Sequence, residues 1–230
     1  MTILEIQKIL LKPAVKLIVG GFRPTNKKDE SWFGKISLFR IDEEIPLDED
    51  GNKMFPIVQI YLSSLPYIPK QLKQTKLLTL FVSKKLPSAF EEMRKNWITR
   101  EYSDTNELIE KNMDYSYSTI KAFPSKYELI KEDYPLWDTE DIGDVIDEVL
   151  TLEESGEIES YYDIIEHEYS HKIGGYPSFC QSGIDFGEDY HFIFQISSDS
   201  KLNFEVCDGG SLMFAKNSKT NQWVMYYDFL

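Results

Sequence analysis

The string His167-Glu168-Tyr169-Ser170-His171 has the spacing used by zinc hydrolases. On a helix it sets two imidazoles one turn apart, with a glutamate placed as base for a metal-bound water. Gly174 falls where the extended form of the motif keeps its glycine, but the third-ligand position is Pro177. Glu188, Asp189 or His191 would have to substitute. Helical spacing speaks against this chemistry. At about 100° per residue, Ile158, Tyr161, Tyr162, Ile165 and Tyr169 share one face, and His167 lies opposite its centre. His171 is at least about a third of a turn away on the same count. Both imidazoles are therefore expected to look into solvent, whereas a hydrolase needs them lining a cleft. Lys172 adds a charge where the motif usually has none.

The same stretch closes a charge anomaly. From Glu132 to His171 there are fifteen Asp or Glu and no Lys or Arg. The chain has 39 acids and 25 bases, so without that window the remainder (24 acids, 39 less 15) is nearly neutral. A net charge of -14 concentrated this way makes a one-sided field that speeds the approach of a basic partner. A solvated helix face is the plainer reading of such a run.

The window must be positioned by helices. Asp138 or Thr139 can cap one, with Glu140 and Asp141 in its first turn. Ile142, Val145, Ile146, Val149 and Leu152 follow helical spacing, and Ser155-Gly156 ends it. The spacing predicts a second helix over 157–170. Strands are expected on either side: Ala14–Val19, Phe55–Leu62 and Lys76–Val82 before, His191–Ile196, Ser211–Ala215 and Trp223–Tyr227 after. Ser88–Trp97 reads as a short helix, and Trp97–Tyr102 either continues it or starts a strand.

Composition narrows the function classes. A pI near 4.7 excludes phosphate-backbone binding and an anionic membrane surface as first readings. Two cysteines, Cys180 and Cys207, are too few for a disulfide framework and read as reduced and semi-buried. No signal peptide or membrane span is evident, so a cytoplasmic protein is expected. There is no Gly-x-Ser-x-Gly elbow and no His near a Cys by spacing. Asp48-Glu49-Asp50-Gly51-Asn52 lacks calcium-loop spacing and reads as a hairpin tip.

The two ends of the chain echo each other. Gly20-Gly21-Phe22-Arg23-Pro24 resembles Gly174-Gly175-Tyr176-Pro177. Ile57-Val58-Gln59-Ile60 resembles Ile193-Phe194-Gln195-Ile196, and Leu78-Thr79-Leu80 resembles Leu212-Met213-Phe214. The order Gly-Gly-x-Pro, an apolar strand ending in Gln-Ile, then Gly-x-Leu-x-Phe resembles the YwqG-like family of bacterial domains of unknown function. His171–Gln181, Phe194-Gln195-Ile196 and Asp208–Phe214 carry the resemblance. It implies a duplicated, mostly β fold with helices between the copies, and no catalytic residues to carry over. By genomic context, members resemble immunity proteins that neutralise secreted toxins.

The expected fold is therefore α+β and mostly antiparallel. It is one YwqG-like domain over 1–230 with sheet copies at roughly 14–82 and 171–227, and the acidic helical segment at roughly 138–170 between them. The expected function is non-enzymatic binding of a basic protein such as a toxin domain, without cofactor, metal, nucleic acid or membrane. Asp144, Asp147, Glu148, Glu153 and Glu154 would form the contact. The alternative is a zinc-dependent hydrolase with His167 and His171 as ligands and Glu168 as base.

Overall fold

Apolar runs dictate the strands. Phe55–Tyr61 and Leu77–Val82 are buried at every position, as strands covered on both faces should be. The computed structural model describes residues 1–25, 27–89 and 91–229. The chain opens with helix α1 (Ile3–Leu10), capped by Thr2 and Glu5, and strand β1 (Lys12–Val19). There follow β2 (Trp32–Phe33), β3 (Leu38–Phe39), β4 (Phe55–Tyr61), β5 (Leu77–Val82), β6 (Trp97–Tyr102), β7 (Ile109–Glu110) and β8 (Phe123–Asp133). A 3-10 stretch, Glu140–Val145, leads into α2 (Ile146–Ser155). Strands β9 (Lys172–Gly174), β10 (Tyr190–Ser197), β11 (Ser211–Asn217) and β12 (Trp223–Asp228) complete the chain. The fold is α+β and mostly antiparallel β, and no helix among the described residues is long and apolar enough to cross a membrane.

The chain forms two compact units. A terminal unit holds Met1–Lys16, Glu128–Ser197 and Val206–Leu230; a middle unit holds Leu17–Tyr127 and Ser198–Glu205. In the terminal unit β12, β11, β10, β9 and β1 pair antiparallel in that order. In the middle unit β8, β2, β4, β5 and β6 do the same. The registers match residue for residue. Lys172 faces Gln195 as Trp32 faces Gln59, and Ile196 faces Leu212 as Ile60 faces Leu78. Each long central strand skips one residue at the same place, between Phe192 and Phe194 and between Pro56 and Val58.

This register corrects one sequence match. Ile173 faces Phe194 as Phe33 faces Val58, so the glycine corresponding to Gly174 is Gly34, not Gly20. Both take positive φ, +77° and +66°.

The glutamines show why these positions recur. Gln195 Oε1 accepts from Ser178 N, and its Nε2 donates to the Ser170 carbonyl. Gln59 Oε1 accepts from Ser37 N and Leu38 N, and its Nε2 donates to the Glu30 carbonyl. In each unit one buried amide ties down the loop after the glycine and the carbonyl two residues before the preceding strand. A buried amide left unpaired is costly, so these loops are determined by their glutamine.

The helical expectation holds over Glu140–Ser155 and fails beyond it. Gly156, at φ +72°, ends α2. The second helix over 157–170 is absent; only Tyr161–Asp163 makes a 3-10 turn. Asp163 Oδ2 accepts from Glu159 N and Ser160 N, which closes that turn locally. Ile158, Tyr161, Ile164 and Ile165 still enter one core with Ile6, Leu10, Ile142, Val145, Val149 and Leu152. Consecutive buried Ile164 and Ile165 fit an irregular segment wrapped over a core, not a one-faced helix. Ser88–Trp97 is likewise not helical among its described residues, and Trp97 begins β6. Cys180 is half-buried, but Cys207 is exposed against the semi-buried expectation.

Candidate functional site

Two features of the terminal unit stand out: an exposed acidic face and a buried polar cluster. The face is carried by Glu140–Ser155 and the irregular segment after it. Ile142, Val145, Val149 and Leu152 point into the core, so the intervening acids must point out. Asp144, Asp147 and Glu154 are exposed and make no ion pair among the described residues. The other two predicted contacts are engaged. Glu148 lies 2.7 Å from the Met1 amino group, and Glu153 Oε1 accepts from Tyr161 N at 2.9 Å. Glu153 is thus part of what folds the segment after α2, which corrects the expectation that all five acids simply face water.

Aromatic side chains accompany these acids. Tyr162 and Tyr169 are 51% and 58% exposed. Tyr162 meets Tyr161 edge-on, and Tyr161 packs on Trp137. The Tyr162 hydroxyl accepts from Trp137 N at 3.3 Å. Tyr169 rests edge-on against His167, 4.6 Å between ring centres.

The histidines are placed differently from the expectation. The His167 side chain is 1% exposed, and His171 is buried. His167 Nδ1 lies 2.6 Å from the Tyr134 carbonyl and Nε2 lies 2.7 Å from Ser178 Oγ. A carbonyl only accepts, so Nδ1 carries the proton and Nε2 accepts. Burial, and after it the Lys172 charge, hold the imidazole down at about pKa 4 against the pull of Asp133, so it is neutral at pH 7. His171 Nδ1 accepts from Ser197 N. In the middle unit Ser31 Oγ does the same for Tyr61 N, at the corresponding position.

Asp133 organises this cluster from the end of β8. Its Oδ1 accepts from Glu168 N, and its Oδ2 accepts from Lys172 Nζ at 2.9 Å and Tyr176 N at 2.8 Å. Both ionic side chains are fully buried. Burial lowers Lys172 to about 8 while Asp133 supports its charge. Glu168 is turned toward Lys16, 2.9 Å away, and Ser170 N. Burial opposes its charge, but these partners hold its pKa below the ordinary carboxylate value.

What this arrangement can do is limited by its satisfaction. The His-Glu-x-x-His string is not helical, its first imidazole has both nitrogens engaged, and its glutamate is paired with a lysine. No group of three or more His, Cys, Asp or Glu among the described residues could hold a metal. Ser178, His167 and Asp133 also evoke a nucleophilic triad. However, Nδ1 bonds the Tyr134 carbonyl with Asp133 Oδ1 3.8 Å away, and Ser178 is only 4% exposed. The cluster's hydrogen bonds tie Glu168 N and Tyr176 N to Asp133 and so hold the segment bearing Tyr169. Sequence reasoning missed the roles of Asp133, Lys172, Ser178 and Gln195. The one signal was Gln195, a polar residue inside an apolar run.

The family model described as "Domain of unknown function (DUF1963)" matches residues 31–220, most of the chain. The chain belongs to that family, with which the YwqG-like resemblance is consistent. No curated protein matches it.

Proposed function

We propose that this DUF1963 protein is a non-enzymatic binding module whose acidic face covers a basic protein, in the manner of an immunity protein covering a toxin domain. One observation carries the reading. Exposed carboxylates without cationic partners among the described residues, Asp144, Asp147 and Glu154, belong to the same segment of the chain as the exposed rings of Tyr162 and Tyr169. Protein-binding surfaces take their affinity from such aromatic anchors, and their association rate from charge. The buried Asp133–Lys172 pair supports the reading by fixing the backbone on which Tyr169 stands.

The test starts with affinity capture from the native host, using the full chain and the triple variant Asp144→Asn, Asp147→Asn, Glu154→Gln. Association rates of the recovered partner are then measured across about 0.05–0.5 M salt, where the screening length shrinks severalfold. The parent rate should fall at least about tenfold with salt, and the variant should be slow and nearly flat. Tyr162→Ala and Tyr169→Ala should instead raise the dissociation rate. Equal rates for parent and triple variant throughout would remove the acidic face from binding.

A further inference from the structure

The middle unit contains a pocket that has no part in the acidic face. It has a volume of about 630 Å³, in the range typical of small-ligand sites. Three separate segments wall it: the turn Asp48–Lys53, the residues Ser83–Lys85 that leave β5, and the stretch Asp114–Tyr117. Two of these walls lie where the middle unit departs from the terminal unit. The link from β5 to β6 spans residues 83–96, whereas the matching link from β11 to β12 spans only 218–222. The bridge Leu47↔Lys53 has no counterpart among the described residues between β9 and β10. The pocket is thus an addition to the shared frame.

Its lining is chemically divided. Phe55 and Tyr117 supply an aromatic wall, with ring centres 6.0 Å apart. Tyr117 is held by its hydroxyl, which donates to the Met54 carbonyl. Lys53 Nζ stands 5.6 Å from the Tyr117 ring centre. Lys53, Lys84 and Lys85 all line the pocket, are exposed, and make no ion pair among the described residues. Three acids, Asp48, Asp50 and Asp114, share the lining and balance the lysine charges, and two of them are engaged by neutral donors. Asp48 uses one oxygen for Asp50 N and Asn52 N and the other for Ser83 Oγ, and Asp114 accepts from Ser116 N. Three such ammonium groups beside an aromatic wall fit a dianion attached to a ring. Asp50 and the second oxygen of Asp114 offer acceptors to hydroxyl or amino groups on that ring. A phosphate monoester suits the lysines, being close to doubly charged at neutral pH.

We propose that this pocket binds a ring-bearing phosphate monoester of mononucleotide size. The phosphate lies among Lys53, Lys84 and Lys85, and the ring packs on Phe55 and Tyr117. The test titrates the full chain with adenosine 5′-monophosphate, with adenosine and with inorganic phosphate, following heat and amide NMR shifts. The monophosphate should saturate with shifts at residues 53–55, 84–85 and 114–117, and each half-ligand should bind at least about tenfold more weakly. Lys84→Gln with Lys85→Gln touches only exposed side chains and should keep the fold, checked by circular dichroism. That variant should weaken the monophosphate at least about tenfold and leave adenosine unchanged. With a net charge of -14 the rest of the surface repels anions, so a saturating response is diagnostic. Absence of saturable monophosphate binding by the folded parent, or binding indifferent to the double lysine variant, would overturn the proposal.

Discussion

The neutral, buried state of His167 makes the sharpest stability prediction. An unfolded histidine titrates near 6.5, and in the fold His167 titrates at about 4. Between those values the unfolded chain holds more protons than the folded one, so acid favours unfolding. The His167 contribution is complete above pH 6.5, falls as the pH drops to about 4, and changes no further below it. The gap corresponds to about 3 kcal/mol at 1.36 kcal/mol for each pH unit. Of the groups facing the ring, Lys172, at about 8, stays charged throughout that window, and Lys16 and Ser170 N hold Glu168 below the ordinary carboxylate value. The perturbation is His167→Gln, which retains a donor for the Tyr134 carbonyl but does not titrate. Urea unfolding of parent and variant at pH 7, 6, 5 and 4 isolates the effect as a difference. The parent's advantage should shrink by about 3 kcal/mol from pH 7 to 4, and NMR of the imidazole should show no protonation at pH 6. A ring titrating near 6.5, or a parent–variant difference independent of pH, would refute the buried, neutral assignment.

Other outcomes follow from the same geometry. Gly175→Ala should destabilise by about 3 kcal/mol or more in urea unfolding, because φ is +67° and the added Cβ would overlap Asp133 Oδ2. A Gly51→Ala change, with open space around its Cβ position, should cost only the strain of its positive φ, about 1–2 kcal/mol. Gln59→Leu and Gln195→Leu should each cost about 2–3 kcal/mol, since each strands buried backbone groups in the same role; a negligible effect in either would break the correspondence of the two units. Metal analysis of the purified chain should find zinc far below one equivalent, and Glu168→Gln should lower stability in urea unfolding by weakening the contacts with Lys16 and Ser170 N.

The segments legible in the sequence are those whose neighbours agree with their own pattern. The apolar runs of β4, β5, β10 and β11 could only be buried strands, and Gln59 and Gln195 mark a repeated register. The stripe Ile142, Val145, Val149, Leu152 requires a helix face, and Gly156 requires its end. By contrast, β8 is invisible because Tyr127–Asp133 is mostly charged or exposed, and neither a hydrophobic period nor a turn signal announces it. The short connections hide the true first-copy glycine, Gly34, behind the more conspicuous pair Gly20-Gly21.

The chain's local chemistry therefore determined its fold class, its repeated strand register and the concentration of negative charge after Glu132. Whether His167 faces water or core was beyond that chemistry. Period counting treats 157–170 as an isolated helix, while the actual choice is made by Asp133, at the end of a strand 39 residues from Lys172. A buried carboxylate must find a cation and N–H donors, and it draws Lys172, Glu168 N and Tyr176 N to itself. The bond to Glu168 N holds that backbone away from helical pairing, and with the Tyr134 carbonyl and Ser178 on its ring His167 lies inside while Tyr169 stays outside. The lysine-lined pocket has the same origin, since its three walls come from stretches separated by roughly thirty residues each, and only the packed sheet sets them side by side.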